Sequence, residues 1–199
     1  DYLFLEVPVS VNLARPRPPF PYDLLPPVPA FELASADLSE GAPVPERFTA
    51  LGQGVSPELH WSGFPGRTRS FAVTCLDPDA PTGSGWWHWV VVDLASSTTC
   101  LAQGAGASDL GLDGAAFHVR GDNGEHAYFG PCPPAGDGVH RYVFAVSALD
   151  VESLELDEDA TPAAVGFTVV HHCIARATLT ATFEVQGVDG AAPFLRDAQ

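Results

Sequence analysis

Asp77-Pro78-Asp79-Ala80-Pro81-Thr82-Gly83-Ser84-Gly85-Trp86-Trp87-His88-Trp89 decides the reading of this chain. Two carboxylates close one apolar run, and a histidine among tryptophans opens the next. The Pro/Gly segment between them has the composition of a tight connection between neighbouring strands. Upstream, Arg69–Leu76 alternates, with Phe71, Val73 and Cys75 on one face and Ala72, Thr74 and Leu76 on the other. Downstream, Trp87–Leu94 is almost wholly apolar, as a central strand covered on both faces should be. Asp77 and His88 are thereby expected to meet at one end of a sheet, with Trp86 as an apolar wall.

Working outward, the pattern stays β. Ala30–Ser35 and Leu59–Ser62 read as short strands, Gly41–Pro45 as a turn, and Ala115–Val119 as a further strand. Ser96–Gly114 is rich in Gly and Ser and reads as loop. Gly121–Gly138 is a long polar loop containing Gly130-Pro131-Cys132-Pro133-Pro134, and loops of that length in compact domains are functional or mobile. Val139–Leu149 is a strong strand with His140, Tyr142, Phe144 and Val146 on one face. One helix is expected, with Thr161 as N-cap and Pro162 in its first position. Val165, Val169 and Cys173, with Val170, Ile174 and Ala177, extend its apolar spacing. Leu179–Val185 is the final strand. The Ala80–Pro81 bond is expected to be cis, since such bonds favour tight, specific turns.

Three segments follow: a Pro-rich arm over 1–27, a domain over 28–187, and a loose tail over 188–199. Prolines 16, 18, 19, 21, 26, 27 and 29 hold the arm extended. It serves either as a partner-binding element or as a strap along its own domain or a neighbouring subunit. Tyr2–Leu13 lacks the charged start and small-residue cleavage site of a signal peptide.

The chain has 199 residues and a net charge of −16, from 25 Asp+Glu against 9 Lys+Arg, every cation being arginine. Such a surface repels nucleic acid and anionic headgroups at long range. It fits either salt adaptation or a GC-rich codon preference. No apolar run reaches the roughly 18–20 residues that span a bilayer, so an integral membrane protein is not expected. The four cysteines, 75, 100, 132 and 173, lack CxxC spacing, and reduced, mostly buried thiols in a cytoplasmic protein are expected.

A carboxylate accepting from an imidazole N–H favours the imidazolium and leaves the other ring nitrogen for a ligand. Asp77 with His88 and His140, a backbone N–H from the Gly-Pro loop and the Tyr142 hydroxyl would make a small anion site without lysine. The same two His and one Asp are also the ligand set of a facial-triad iron site. Taken singly, Asp77 and Asp79 beside prolines are turn formers, and Trp86, Trp87 and Trp89 are core residues. No nucleophile elbow, phosphate-binding glycine loop, dinucleotide motif or H-E-x-x-H occurs.

Together these residues resemble the phosphatidylethanolamine-binding protein family, in its bacterial Raf-kinase-inhibitor-like branch and especially actinobacterial members. The resemblance rests on Ser56-Pro57-Glu58-Leu59-His60-Trp61, Ser70-Phe71-Ala72-Val73, Asp77–Thr82, Trp86–Trp89, Gly130–Pro134, Pro134–Val139 leading into His140-Arg141-Tyr142, and Ile174-Ala175-Arg176-Ala177. It implies a mainly β fold, a large antiparallel sheet packed with a smaller one plus a C-terminal helix. It implies a non-enzymatic protein without cofactor or metal, whose pocket takes phosphate-like or carboxylate-like headgroups through Asp77, Trp86, His88, Gly130, Pro131, His140 and Tyr142. It also implies a homodimer and a kinase or protease partner.

Overall fold

The computed structural model describes residues 13–187. The tail expected over 188–199 and the first part of the arm lie outside them. Strands β1 (Glu32–Ala34), β2 (Leu59–Ser62), β3 (Ser70–Asp77), β4 (Trp86–Ala95), β5 (Cys100–Leu101), β6 (Phe117–His118) and β7 (His140–Leu149) precede helix α1 (Pro162–His172) and strand β8 (Cys173–Phe183). They form a three-stranded sheet, β1-β2-β5, and a five-stranded sheet, β6-β4-β3-β7-β8, all pairs antiparallel.

The alternation in β3 translates directly into two cores. Val73 and Cys75 join Trp89, Val91, Tyr142, Phe144 and Val146 beneath the small sheet, whose Leu59 and Trp61 are buried there. Ala72, Val90 and Val92 face the other way and pack on Val165 and Val169 of α1. Strand β4 is therefore covered on both faces, and burying side chains of this size contributes roughly 1.5–3 kcal/mol each. Trp89 to Ala at its centre should cost about 3–5 kcal/mol, read as a fall in the urea midpoint with unchanged slope.

Two boundaries differ from the sequence reading. Thr161 caps α1 as expected, its Oγ1 accepting from Ala164 N–H at 3.2 Å. The helix, however, stops at His172, and Cys173 begins a strand. The apolar spacing that continues to Ala177 serves a ladder instead, running from Leu149↔Cys173 to His140↔Phe183. Tertiary pairing overrides a local helical period here. Strand β5, inside the expected Ser96–Gly114 loop, is only two residues long and carries no period to detect. The Ala80–Pro81 bond is trans, as is every peptide bond among the described residues. The turn closes without isomerisation, Thr82 N–H donating to the Ala80 carbonyl at 2.8 Å across Pro81, whose fixed φ suits such a turn. All four cysteines are unpaired, but only Cys75 is buried and Cys100 is exposed, so the thiols are not mostly buried.

The described part of the arm straps its own domain. Arg141 Nη2 donates to the Pro18 carbonyl at 2.8 Å, the Tyr22 hydroxyl lies 3.0 Å from Thr74 Oγ1, and Arg176 N–H donates to the Pro29 carbonyl at 2.9 Å. Prolines suit this course because it makes few ladder bonds of its own.

Candidate functional site

The β3–β4 hairpin sets Asp77 opposite Trp86, the last pair of its ladder. Gly85 makes the return possible. Its φ is +76°, and a Cβ there would stand 2.7 Å from the Asp77 carbonyl oxygen. Strand β7, on the other side of β3, brings His140 and Tyr142 to the same end. A cavity of about 300 Å³ lies between them, lined by Asp77, Trp86, His88, His140 and Tyr142 with residues 80–82, 129 and 132–134 of the loops. Gly130 and Pro131 do not line it. A Cβ on Gly130 would meet the 48–50 backbone at 2.5 Å, and the Pro131 carbonyl accepts from Ala50 N–H at 3.1 Å. These two residues anchor the loop, and Phe129, Cys132, Pro133 and Pro134 form the wall.

The two histidines are in opposite states. His140 is 1% exposed; its Nδ1 lies 2.7 Å from Asp77 Oδ2 and its Nε2 3.0 Å from Asp137 Oδ2. Burial opposes its cation, but the two carboxylates outweigh burial and raise its pKa. Both ring nitrogens then donate. Asp137 is held below the usual carboxylate range, first by Arg15, whose guanidinium contacts it at 2.7 and 2.8 Å, and also by His140. Arg15 also donates to the Asp79 carbonyl.

His88 has no carboxylate partner. Its Nδ1 lies 2.8 Å from the Phe129 carbonyl, and the Phe129 ring stacks on it at 5.7 Å. Burial lowers its pKa to about 4, more than the carbonyl and Asp77 can restore. A carbonyl can only accept, so Nδ1 carries the proton and Nε2 keeps its lone pair. Two further polar atoms beside it are buried without a hydrogen-bond partner among the described residues, Trp86 Nε1 and the Tyr142 hydroxyl.

Asp79 belongs to the frame. Its carboxylate takes Arg141 Nε and Nη2, each at 2.7 Å, and Arg141 backbone N–H at 2.9 Å. Burial alone would raise its pKa, but these bonds to Arg141 lower it. Its own N–H donates to Asp77 Oδ1 at 2.8 Å, which fixes the acceptor of His140.

The sequence reading gave both histidines a carboxylate and a free nitrogen. Only His140 has the carboxylate, and its second nitrogen meets Asp137. Asp137 was missed because it sits among glycines and prolines like any solvated turn residue; only the fold-back of its loop and Arg15 give it a role. The iron-triad alternative does not fit, since His140 has no lone pair to give. Among the described residues no three His, Cys, Asp or Glu side chains are placed to hold a metal ion.

A larger hollow, about 710 Å³, lies on the far side of the 78–85 loop against the arm. Prolines, small residues and leucines line it, with Arg15 as its one charged side chain among the described residues, so it offers little chemistry.

A small pocket edged by polar groups thus lies at one end of two packed sheets. The phosphatidylethanolamine-binding protein family model matches residues 34–184, and the chain belongs to that family. UPF0098 protein YbhB of Escherichia coli is 46% identical over 157 residues, covering 76% of this chain and 99% of that protein. The crystal structure of Escherichia coli YbcL superposes with a TM-score of 0.76 at 40% identity, covering 78% of this chain and 99% of that one. A Mycobacterium tuberculosis protein named as a lipoprotein, LppC, is 36% identical over 180 residues, covering 86% of this chain and 85% of that protein. Among the described residues no helix is long and apolar enough to cross a membrane.

Proposed function

We propose that this is a non-enzymatic binding protein whose pocket takes a small phosphate-like or carboxylate-like group, such as a phospholipid headgroup, carrying a single negative charge. The observation that supports it is the trio at one cavity: Trp86 Nε1–H and the Tyr142 hydroxyl without partners, and His88 with a lone pair on Nε2. Buried polar groups are normally satisfied, so unpaired ones mark where a ligand or ordered water belongs. The His140 cation is already matched by Asp77 and Asp137. A doubly charged anion gains no surplus positive charge, whereas the oxygens of a singly charged one accept from Trp86 and Tyr142, and a phosphate monoanion also donates its P–OH to His88.

Calorimetry with inorganic phosphate tests this. Binding is expected at pH 6 and weaker as pH rises past the second ionisation of inorganic phosphate, about one unit above the value of roughly 6 for phosphate esters. Trp86→Phe keeps the ring and loses the N–H, which should weaken binding about tenfold. No binding at pH 6, or unchanged affinity in His88→Ala, overturns the reading.

The same proposal includes modulation of a kinase or protease by protein–protein contact, and a cytoplasmic location, which fractionation of cells checks given the lipoprotein name of one relative. It also includes a homodimer, which light scattering would read as about twice 21.0 kDa.

A further inference from the structure

The face of the large sheet opposite the headgroup pocket holds a second cavity, also about 300 Å³. Its walls are apolar: Leu25 of the arm, Ala72 and Leu76 of β3, Trp87 of β4, and Val165 and Val169 of α1. Arg176 lines it as its one ionic group. That arginine is 8% exposed, yet among the described residues no carboxylate pairs with it. Its Nε lies 3.4 Å from Ser147 Oγ, long for a hydrogen bond from a charged donor to oxygen, and its Nη2 lies 3.5 Å from Cys173 Sγ, a weak acceptor. The Tyr22 ring covers its face at 4.7 Å. Of the five guanidinium N–H groups, three keep no protein acceptor among the described residues.

A buried cation without a counter-charge is costly, and native proteins rarely leave one so. Every other buried ionic group of this chain that is described above has a partner. We propose that Arg176 heads a second binding site, for an amphiphile with one carboxylate and a short alkyl chain. The planar guanidinium matches a carboxylate in a bidentate fork, and the apolar walls match the chain. The volume is at the lower end of small-molecule sites, roughly 300–1,000 Å³, which favours a medium chain over a full-length lipid tail. The stacked Tyr22 makes the arm part of the site, not merely a strap.

The site shares no lining residue with the headgroup pocket, so the two readings stand or fall separately. Octanoate is the probe, titrated into the full chain by calorimetry at pH 7. Saturable one-to-one binding is expected, with octanol and octylamine at least about tenfold weaker, because a charged hydrogen-bonded pair is absent from the first and repelled in the second. Arg176→Gln should weaken octanoate by the same factor. Should that variant fold poorly, Gly166→Leu serves. Gly166 lies on α1 at the cavity, with nothing within 4 Å of an added Cβ. Leucine there adds bulk to the cavity wall contributed by α1, and it should weaken octanoate binding while raising thermal stability through helix propensity. Phosphate binding at the other pocket should persist in both variants. Absence of saturable octanoate binding, equal affinity for octylamine, or full octanoate affinity in Gly166→Leu each overturns the proposal.

Discussion

Asp79→Ala should destabilise the fold by about 3–5 kcal/mol, the usual result of removing one partner from a buried ion pair. For a domain of this size the loss corresponds to a fall in Tm of roughly 6–20 °C. Asp79 is 5% exposed and accepts three hydrogen bonds from Arg141, two from the guanidinium and one from the backbone. Its removal leaves that guanidinium inside the protein, where the Pro18 carbonyl is its only other acceptor among the described residues. The pair itself contributes much less than the single substitution suggests. The double variant Asp79→Ala/Arg141→Ala removes both charges and should be more stable than Asp79→Ala alone, which a double-mutant cycle would read as a coupling of 0.5–3 kcal/mol, on the order of contacting residues. Phosphate affinity should fall as well, because the 80–82 loop lines the pocket and the Asp79 carboxylate, through Arg141, ties the start of that loop to β7. A Tm within about 2 °C of the parent, a shift expected for less than about 1 kcal/mol, would refute the argument.

That pair also marks how far the sequence could be read. Strands β3, β4 and β7 are visible because their alternation or unbroken apolarity comes from burial on known faces, and the positions of Asp77, His88 and His140 follow from strand ends. The electrostatics do not follow. His88 looks like His140 in sequence, each at the start of a strand, but a carbonyl from the Gly-Pro loop meets one and two carboxylates meet the other. Asp79 looks like a turn former beside proline, and its bidentate partner lies 62 residues away. Arg176, in a strand mistaken for helix as far as Ala177, gives no local sign of being buried. Long-range pairing decides each case, and no periodicity encodes it.

The opposite states of the two histidines predict an asymmetric dependence of stability on pH. In the unfolded chain both titrate near 6.5. Folded His88 binds its proton only near pH 4, so between 6.5 and 4 the unfolded state holds more protons and stability falls as pH falls. The difference of about 2.5 units is worth about 3 kcal/mol, present as a penalty in full below pH 4 and absent above 6.5. His140 acts in the other direction. Its folded pKa is raised, so its stabilisation is complete below 6.5 and is lost as pH rises through the folded value. Asp79 and Asp137, both lowered, add a further loss only as pH falls below the ordinary carboxylate range. Stability should therefore peak close to neutrality and fall on both sides, steeply on the acid side. In His88→Asn the amide can still donate to the Phe129 carbonyl but cannot titrate. Urea unfolding at pH 4.5, 5.5 and 6.5, on the order of the histidine range, should show the parent losing stability across the series and the variant losing less, the remainder including His118, whose pKa burial also lowers. A variant that keeps the parent's slope would place the acid sensitivity elsewhere and return His88 to an ordinary imidazole, charged at the pH where phosphate binds. The lone pair assigned to Nε2 would then be gone, and with it the preference for a singly charged ligand.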